Sequence, residues 1–201
     1  MNKNIYEVSS SSISIYFYNH ASLLSCLGKL LERIVAQRLQ KFLESNKKLA
    51  KHQSGFRTGR RTSDNLVFFS QKVSDAFNRG KKILSLYFDI EAAFDAVWHD
   101  GLVHKMITME VPTYITVWVH NYLLDRSFDV RVGDSISSKA RIVTGVPQGS
   151  SISPILFSIF INDIPAPFEN NKCYSLLFAD DLNIFSSLIN PRICSDKPKR
   201  F

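Results

Sequence analysis

Apolar positions recur every three or four residues along Ser25–Ser45, where Leu27, Leu30, Leu31, Ile34, Arg38, Leu39 and Phe42 stand in helical register with Lys and Arg on the other face. This predicts an amphipathic helix of about five turns. Lys47 to Thr62 is polar and Gly-containing and reads as a loop. A second helix follows, with Ser63 or Asp64 as its N-cap, Leu66, Phe69, Val73 and Phe77 as its buried stripe and Gly80 as its stop. The pattern then changes, because Lys82-Ile83-Leu84-Ser85-Leu86-Tyr87-Phe88 has strand length and predicts a buried strand that ends at Asp89. Ala92 to Trp98 turns away, His99 to Met109 is helical, and Pro112 introduces another helix over Thr113 to Leu124 with Ile115, Trp118, Val119 and Tyr122 in register. Phe128 to Val132 alternates and meets Gly133-Asp134, predicting a β-hairpin whose return strand runs from about Lys139 to Val143. Gly145-Val146-Pro147-Gln148-Gly149 is a loop, and Ser153-Pro154 opens a helix through Leu156, Phe157, Phe160 and Ile161. Two apolar stretches, Cys173–Leu177 and Leu182–Phe185, flank Phe178-Ala179-Asp180-Asp181 and predict a strand, a tight turn and a strand with acid at the tip. Helices interspersed with hairpins give an α+β fold.

The chain has 201 residues, 45% of them hydrophobic, enough for a sizeable core in one domain or one domain and a lobe. Its net charge of +7 is unevenly spread. From Lys29 to Lys82 there are 14 Lys and Arg against four Asp and Glu, whereas from Ile83 to Phe201 there are 10 against 13. A basic half beside an acidic one fits a polyanion bridged to metal, or else a set of solvated helix faces. Cys26, Cys173 and Cys194 are odd in number and widely spaced, which indicates neither a disulfide framework nor a zinc site and favours a reducing intracellular compartment, nucleus or cytoplasm. No apolar run reaches the length of a membrane span, so no membrane partner is expected. Residues 1–17, with the Ser-rich stretch Ser9–Ser14, read as a poorly ordered leader, and 189–201 as a polar tail. Trp98 and Trp118 read as core, and the five histidines as packing or exposed residues.

The chemistry concentrates on the acids. Adjacent strand residues point to opposite faces, so Asp180 and Asp181 need the bend of the turn to act together. An Asp-Asp turn is commonly just a solvated turn. Here it lies between hydrophobic strands, where two close carboxylates repel unless a cation neutralises them. Asp89, at the end of another strand, is the third acid that a hard-cation site needs.

Four ordered blocks then stand out: Gly55-Phe56-Arg57 with Arg60-Arg61-Thr62; Phe88-Asp89-Ile90-Glu91-Ala92-Ala93-Phe94-Asp95; Gly145-Val146-Pro147-Gln148-Gly149-Ser150 with Ser153-Pro154; and Phe178-Ala179-Asp180-Asp181. Over about residues 18–188 their order resembles the reverse transcriptase of non-long-terminal-repeat (LINE-type) retrotransposons of the jockey-like kind. The resemblance implies a right-hand polymerase, with residues 18–82 as basic fingers and 83–188 as palm. It implies Asp89, Asp180 and Asp181 as catalytic metal ligands for Mg²⁺, with Mn²⁺ as a substitute. Phe178 stands where the family more often has Tyr, and with Ala179 would meet the primer end. Phe94 would clash with a 2′-hydroxyl on the incoming sugar. Arg57, Arg60 and Arg61 would hold the triphosphate, and Gln148 and Gly149 would approach the nucleotide and template.

The implied partners are an RNA template, a DNA primer and deoxynucleoside triphosphates, joined by templated addition to the primer 3′-hydroxyl. Where the family reads Tyr-Arg-Pro-Ile-Ser-Leu-Leu, this chain has Tyr18-Asn19-His20-Ala21-Ser22-Leu23-Leu24, and the sequence after the acidic hairpin has no room for a thumb. Two readings follow: an RNA-directed DNA polymerase domain, or an inactive, truncated remnant that at most binds nucleic acid. An RNA-templated RNA polymerase is disfavoured by Phe94. With no following segment to cover it, the hairpin Phe178–Ser187 is expected to leave apolar surface bare.

Overall fold

The computed structural model describes residues 25–169 and 173–188; the expected leader, Tyr18–Leu24, Cys194 and the tail lie outside the described residues. Helix α1 runs over Cys26–Ser45, with the Ser25 hydroxyl accepting from the Gly28 N–H as an N-cap. Helix α2 follows at Thr62–Asn78 and strand β1 at Lys82–Phe88. Helices α3 (His99–Thr108) and α4 (Thr113–Leu123) come next, then four two-residue strands, β2 (Ser127–Phe128), β3 (Arg131–Val132), β4 (Ser135–Ile136) and β5 (Ala140–Arg141). Helices α5 (Ser153–Phe160) and α6 (Ala166–Glu169) precede the hairpin of β6 (Tyr174–Phe178) and β7 (Asp181–Leu188).

β1, β7 and β6 form one antiparallel sheet in that order. Pairing of β1 with β7 sets Phe88 opposite Leu182 and Lys82 opposite Leu188. Side chains on paired residues share a face. Leu177, Leu182 and Ile184 enter a core with Val97, Leu102 and Met106 around α3, Ile115 and Val119 of α4, and Leu156, Phe157 and Ile159 of α5. Leu39 and Leu43 of α1 join the same cluster. The opposite face carries Phe185, whose ring meets Phe68 and Phe69 of α2 edge-on. The sheet therefore sits between α2 and a layer of the other helices.

The structure corrects several expectations drawn from apolar spacing. On α1 the buried line is Glu32, Leu39 and Leu43, while Leu27, Leu30, Leu31 and Ile34 are exposed, Leu27 by 81%. On α2, Phe69 and Val73 are half-buried, but Leu66 and Phe77 face solvent, and the helix starts one residue before Ser63. The N-cap is Arg61, not Ser63 or Asp64; Asp64 stands at the third helical position, where its carboxylate accepts from the Arg61 N–H at 2.9 Å. Trp98 is 60% exposed and lies across Gly101, where a Cβ would come within 2.5 Å of the indole. Gly133-Asp134 does make a hairpin turn, but it joins β3 to β4, and the later strand β5 pairs with β2 below it.

β1 is not a buried strand. It is an edge of the described sheet, and Leu84, Leu86, Tyr87 and Phe88 are about half exposed or more. The bare apolar surface thus lies on β1, whereas Leu182, Ile184 and Phe185 of the hairpin are buried. Leu86→Lys should suppress edge pairing, raising the concentration at which light scattering first reports aggregates, at a stability cost under about 1 kcal/mol. An unchanged aggregation threshold would count against β1 as the sticky edge.

Candidate active site

The acidic turn is built by register. Phe178 pairs with Asp181, so Ala179 and Asp180 are the two turn residues between β6 and β7. Ala179 has φ +57°, a left-handed conformation that costs an alanine on the order of 1 kcal/mol. Across the sheet, Phe88 pairs with Leu182, which places Asp89 and Asp181 one step further on at the same end of two adjacent strands. Asp89 and Asp181 are exposed and Asp180 half-buried. Among the described residues none of the three has a basic partner within ion-pair distance. All-oxygen donors without a counter-cation suit a hard divalent ion. The side chains are not drawn together, however, since no three His, Cys, Asp or Glu groups among the described residues converge on one point.

The loop between α1 and α2 is fastened to this turn. The Ser54 N–H donates to the Leu177 carbonyl at 2.9 Å, and the Leu177 N–H donates to the His52 carbonyl at 3.0 Å. Asn65 of α2 reaches the same Leu177 carbonyl at 3.0 Å and accepts from the Ser54 hydroxyl. Gly55 packs directly on the turn, where a Cβ would fall 2.1 Å from the Ala179 nitrogen and 3.0 Å from the Phe178 carbonyl carbon.

Beyond Gly55 the loop borders a cleft of about 460 Å³ lined by Phe56, Arg57, Arg60, Arg61 and Phe178, among others. Arg60 and Arg61 are exposed to it. Arg57, expected beside them as a triphosphate ligand, is engaged otherwise. Its guanidinium forks onto Glu44 of α1 at 2.8 and 2.5 Å, and its remaining donors reach the Ala50 and Gln53 carbonyls. With only 8% of its side chain exposed, Arg57 braces the loop through Glu44 while still bordering the cleft. Hydrogen bonding from Arg57 holds the Glu44 carboxyl below its ordinary pKa, against partial burial that raises it, with the Arg57 and Arg60 charges adding to the lowering. Stability from this pair is present above the usual glutamate value and lost as pH falls through the lowered one. At neutral pH, Glu44→Gln should speed tryptic cleavage at Arg57–Arg61 by roughly tenfold, the effect of one lost charge-assisted hydrogen bond. Unchanged cleavage would show that the loop holds its shape without the pair.

Phe94 is half-buried and fixed by its neighbours. Its ring stacks on Phe157 at 4.9 Å and meets Phe56 edge-on at 6.1 Å, linking it to the basic loop. The Val146 N–H donates to the Phe94 carbonyl and the Gly145 N–H to the Val97 carbonyl, both at 2.8 Å, so the Pro147-Gln148-Gly149 loop starts against this segment. The Gln148 amide stands 3.4 Å from Asp95, and Gly149 has φ +92°, which favours glycine. The structure thus sets Gln148 beside Asp95 next to Phe94, and packs Gly55 on the acidic turn, whose Phe178 lines the arginine cleft. His99, expected from sequence only to pack or face solvent, places its Nε2 2.7 Å from the Gly145 carbonyl, and Glu32, which apolar spacing left out of the core, is buried at the end of the Gln148 loop.

Residues 18–193 match the family model for reverse transcriptase (RNA-dependent DNA polymerase). The chain belongs to this reverse transcriptase family. It is 37% identical over 175 residues to the probable RNA-directed DNA polymerase from transposon BS of Drosophila melanogaster, covering 85% of this chain and 19% of that one. With the RNA-directed DNA polymerase from mobile element jockey of the same species it shares 34% identity over 161 residues, 80% of this chain and 18% of the relative. It therefore spans about a fifth of the length of these reverse transcriptase relatives. Among solved structures, apo telomerase from Candida tropicalis superposes with a TM-score of 0.57 at 13% identity, over 79% of this chain and 31% of that one. That likeness concerns the fold, and it supports the α+β reverse transcriptase architecture. No helix among the described residues is long and apolar enough to cross a membrane.

Proposed function

We propose that the chain is the fingers and palm portion of an RNA-directed DNA polymerase that adds deoxynucleotides to a primer 3′-hydroxyl on an RNA template. The observation that carries this reading is the β1–β7 register, which sets Asp89 beside the Asp180-Asp181 turn in a chain of reverse transcriptase family. Asp89, Asp180 and Asp181 would hold Mg²⁺, or Mn²⁺ in its place. Bound there, the cation would supply Lewis acidity to the primer hydroxyl and to the triphosphate. Arg60 and Arg61 would neutralise the phosphates from the cleft, while Arg57 keeps their loop in shape through Glu44. Phe178, which lines that cleft and pairs with Asp181, would pack against the primer end beside Ala179. Gln148 would face the nucleotide and its template base, with Gly149 allowing close approach.

Phe94 would set the sugar. A ring held by Phe157 and Phe56 cannot swing aside to admit a 2′-hydroxyl. Primer extension with each class of triphosphate tests this. The wild type should prefer deoxynucleotides, and Phe94→Val should narrow the preference by about 100-fold, a change of ~2.7 kcal/mol in discrimination. An unaltered ratio in a variant that still extends primers would remove Phe94 from this role.

A further inference from the structure

Glu32 is a carboxylate-bearing residue of α1 that is only 3% exposed. Burying such a group is costly unless donors surround it. Its partners are all uncharged. Oε1 accepts from the Tyr122 hydroxyl at 3.0 Å, and Oε2 accepts from the Ser150 hydroxyl at 2.8 Å and the Ser151 N–H at 3.0 Å. The hydroxyls of Tyr122 and Ser150 also touch each other at 3.0 Å. Tyr122 is held in turn by Trp118, stacked on its ring, and by the Arg126 guanidinium 4.7 Å from the ring centre.

Two of these three donors belong to the residues that follow Gly149. The Pro147-Gln148-Gly149 loop is pinned at its start by Phe94 and Val97 and closed by the Ser150 N–H donating to the Pro147 carbonyl at 3.2 Å. Its far end is fixed by Glu32 alone among charged groups of the described residues. α1 thereby sets where Gln148 stands relative to Asp95 and Phe94.

We propose that Glu32 is a positioning residue, whose buried carboxylate holds the Pro147-Gln148-Gly149 loop at the height that nucleotide selection requires. This rests on the reading of Gln148 as a nucleotide-facing residue, and the test separates the two. Glu32→Leu removes the acceptors at similar size, Glu32→Gln restores an acceptor oxygen, and Ser150→Ala is the milder variant should Glu32→Leu not fold. Amide hydrogen exchange over Val146–Ile152 reports the tether without any need for activity. Primer extension gives KM and kcat for deoxynucleotide.

Expected for Glu32→Leu are exchange about tenfold faster in that segment with β6 and β7 unchanged, and a KM about tenfold higher with kcat per folded molecule within about twofold. Glu32→Gln should recover most of both, and Ser150→Ala should shift both in the same direction by less. Unchanged exchange in the loop, or exchange raised throughout the chain with KM constant, would make Glu32 a mere prop of the fold and overturn the proposal. Selective loosening in a chain that extends no primer would keep the tether but overturn the nucleotide reading that gives it a purpose.

Discussion

Asp180→Asn should reduce deoxynucleotide incorporation by about 10³-fold, equivalent to ~4 kcal/mol of transition-state stabilisation, while leaving the melting temperature nearly unchanged. The contrast has one physical reason. Asp180 and Asp181 are neighbours in a turn with no basic partner among the described residues, so no protein group pairs with either charge. Removing one charge at this half-buried position costs the fold little and deprives a bound cation of a ligand. Mn²⁺ binding followed by electron paramagnetic resonance should weaken in parallel with incorporation. A variant with full activity, or a lower melting temperature together with unchanged Mn²⁺ binding, would identify the pair as an ordinary solvated turn.

Gly55→Ala should be the most damaging of the small substitutions, costing about 3 kcal/mol of stability. The new methyl would lie 2.1 Å from the Ala179 nitrogen and 2.9 Å from its Cα, and both are backbone atoms that no rotamer change can move away. Either the basic loop lifts from the acidic turn, breaking the Ser54–Leu177 hydrogen bond and the Gln53–Leu177 bridge, or the turn itself shifts. Both routes separate the cleft arginines from the aspartates. Urea titration with circular dichroism measures the cost, and Gly59→Ala is the matched control, since Gly59 has φ +74° but no atom within 4 Å of a built Cβ. A loss at Gly55, whose φ is not left-handed, no larger than that of Gly59→Ala would mean that the loop yields to the added methyl and that its packing on the turn does not require glycine.

Much of this architecture is legible in the chain. The 3.6-residue period placed α1 to α5 within a residue or two, and the two apolar runs around Phe178–Asp181 gave the hairpin with its acids at the turn. What periodicity misjudged was which side faces inward. On α1 the predicted stripe holds only at Leu39 and Phe42, while its leucine-rich start, Leu27 to Ile34, faces outward and Glu32 is buried, so counting apolar residues chose the wrong side for the first half of the helix. Glu32 does lie seven residues before Leu39 and eleven before Leu43, and a lone acid in line with a buried stripe was the signal available.

The engagement of Arg57 was not legible, because Glu44 lies on a different element and nothing local announces the pair. A run of arginines after a glycine looks alike whether the side chains face a ligand or brace a loop. β1 reads as buried from composition alone, and only the sheet order shows that it is an edge. The adjacency of Asp89 to Asp181 depends likewise on register, which strand ends suggest but do not fix.

The most direct test of the account is Mg²⁺-dependent extension of a DNA primer annealed to an RNA template by the folded chain of residues 1–201, with Asp180→Asn run beside it. The account predicts template-directed deoxynucleotide addition by the wild type, lost when Mg²⁺ is chelated and lost in the variant. Binding of primer and template by a folded wild type that adds no nucleotide would contradict it, leaving a nucleic-acid-binding domain that retains the reverse transcriptase fold without its chemistry.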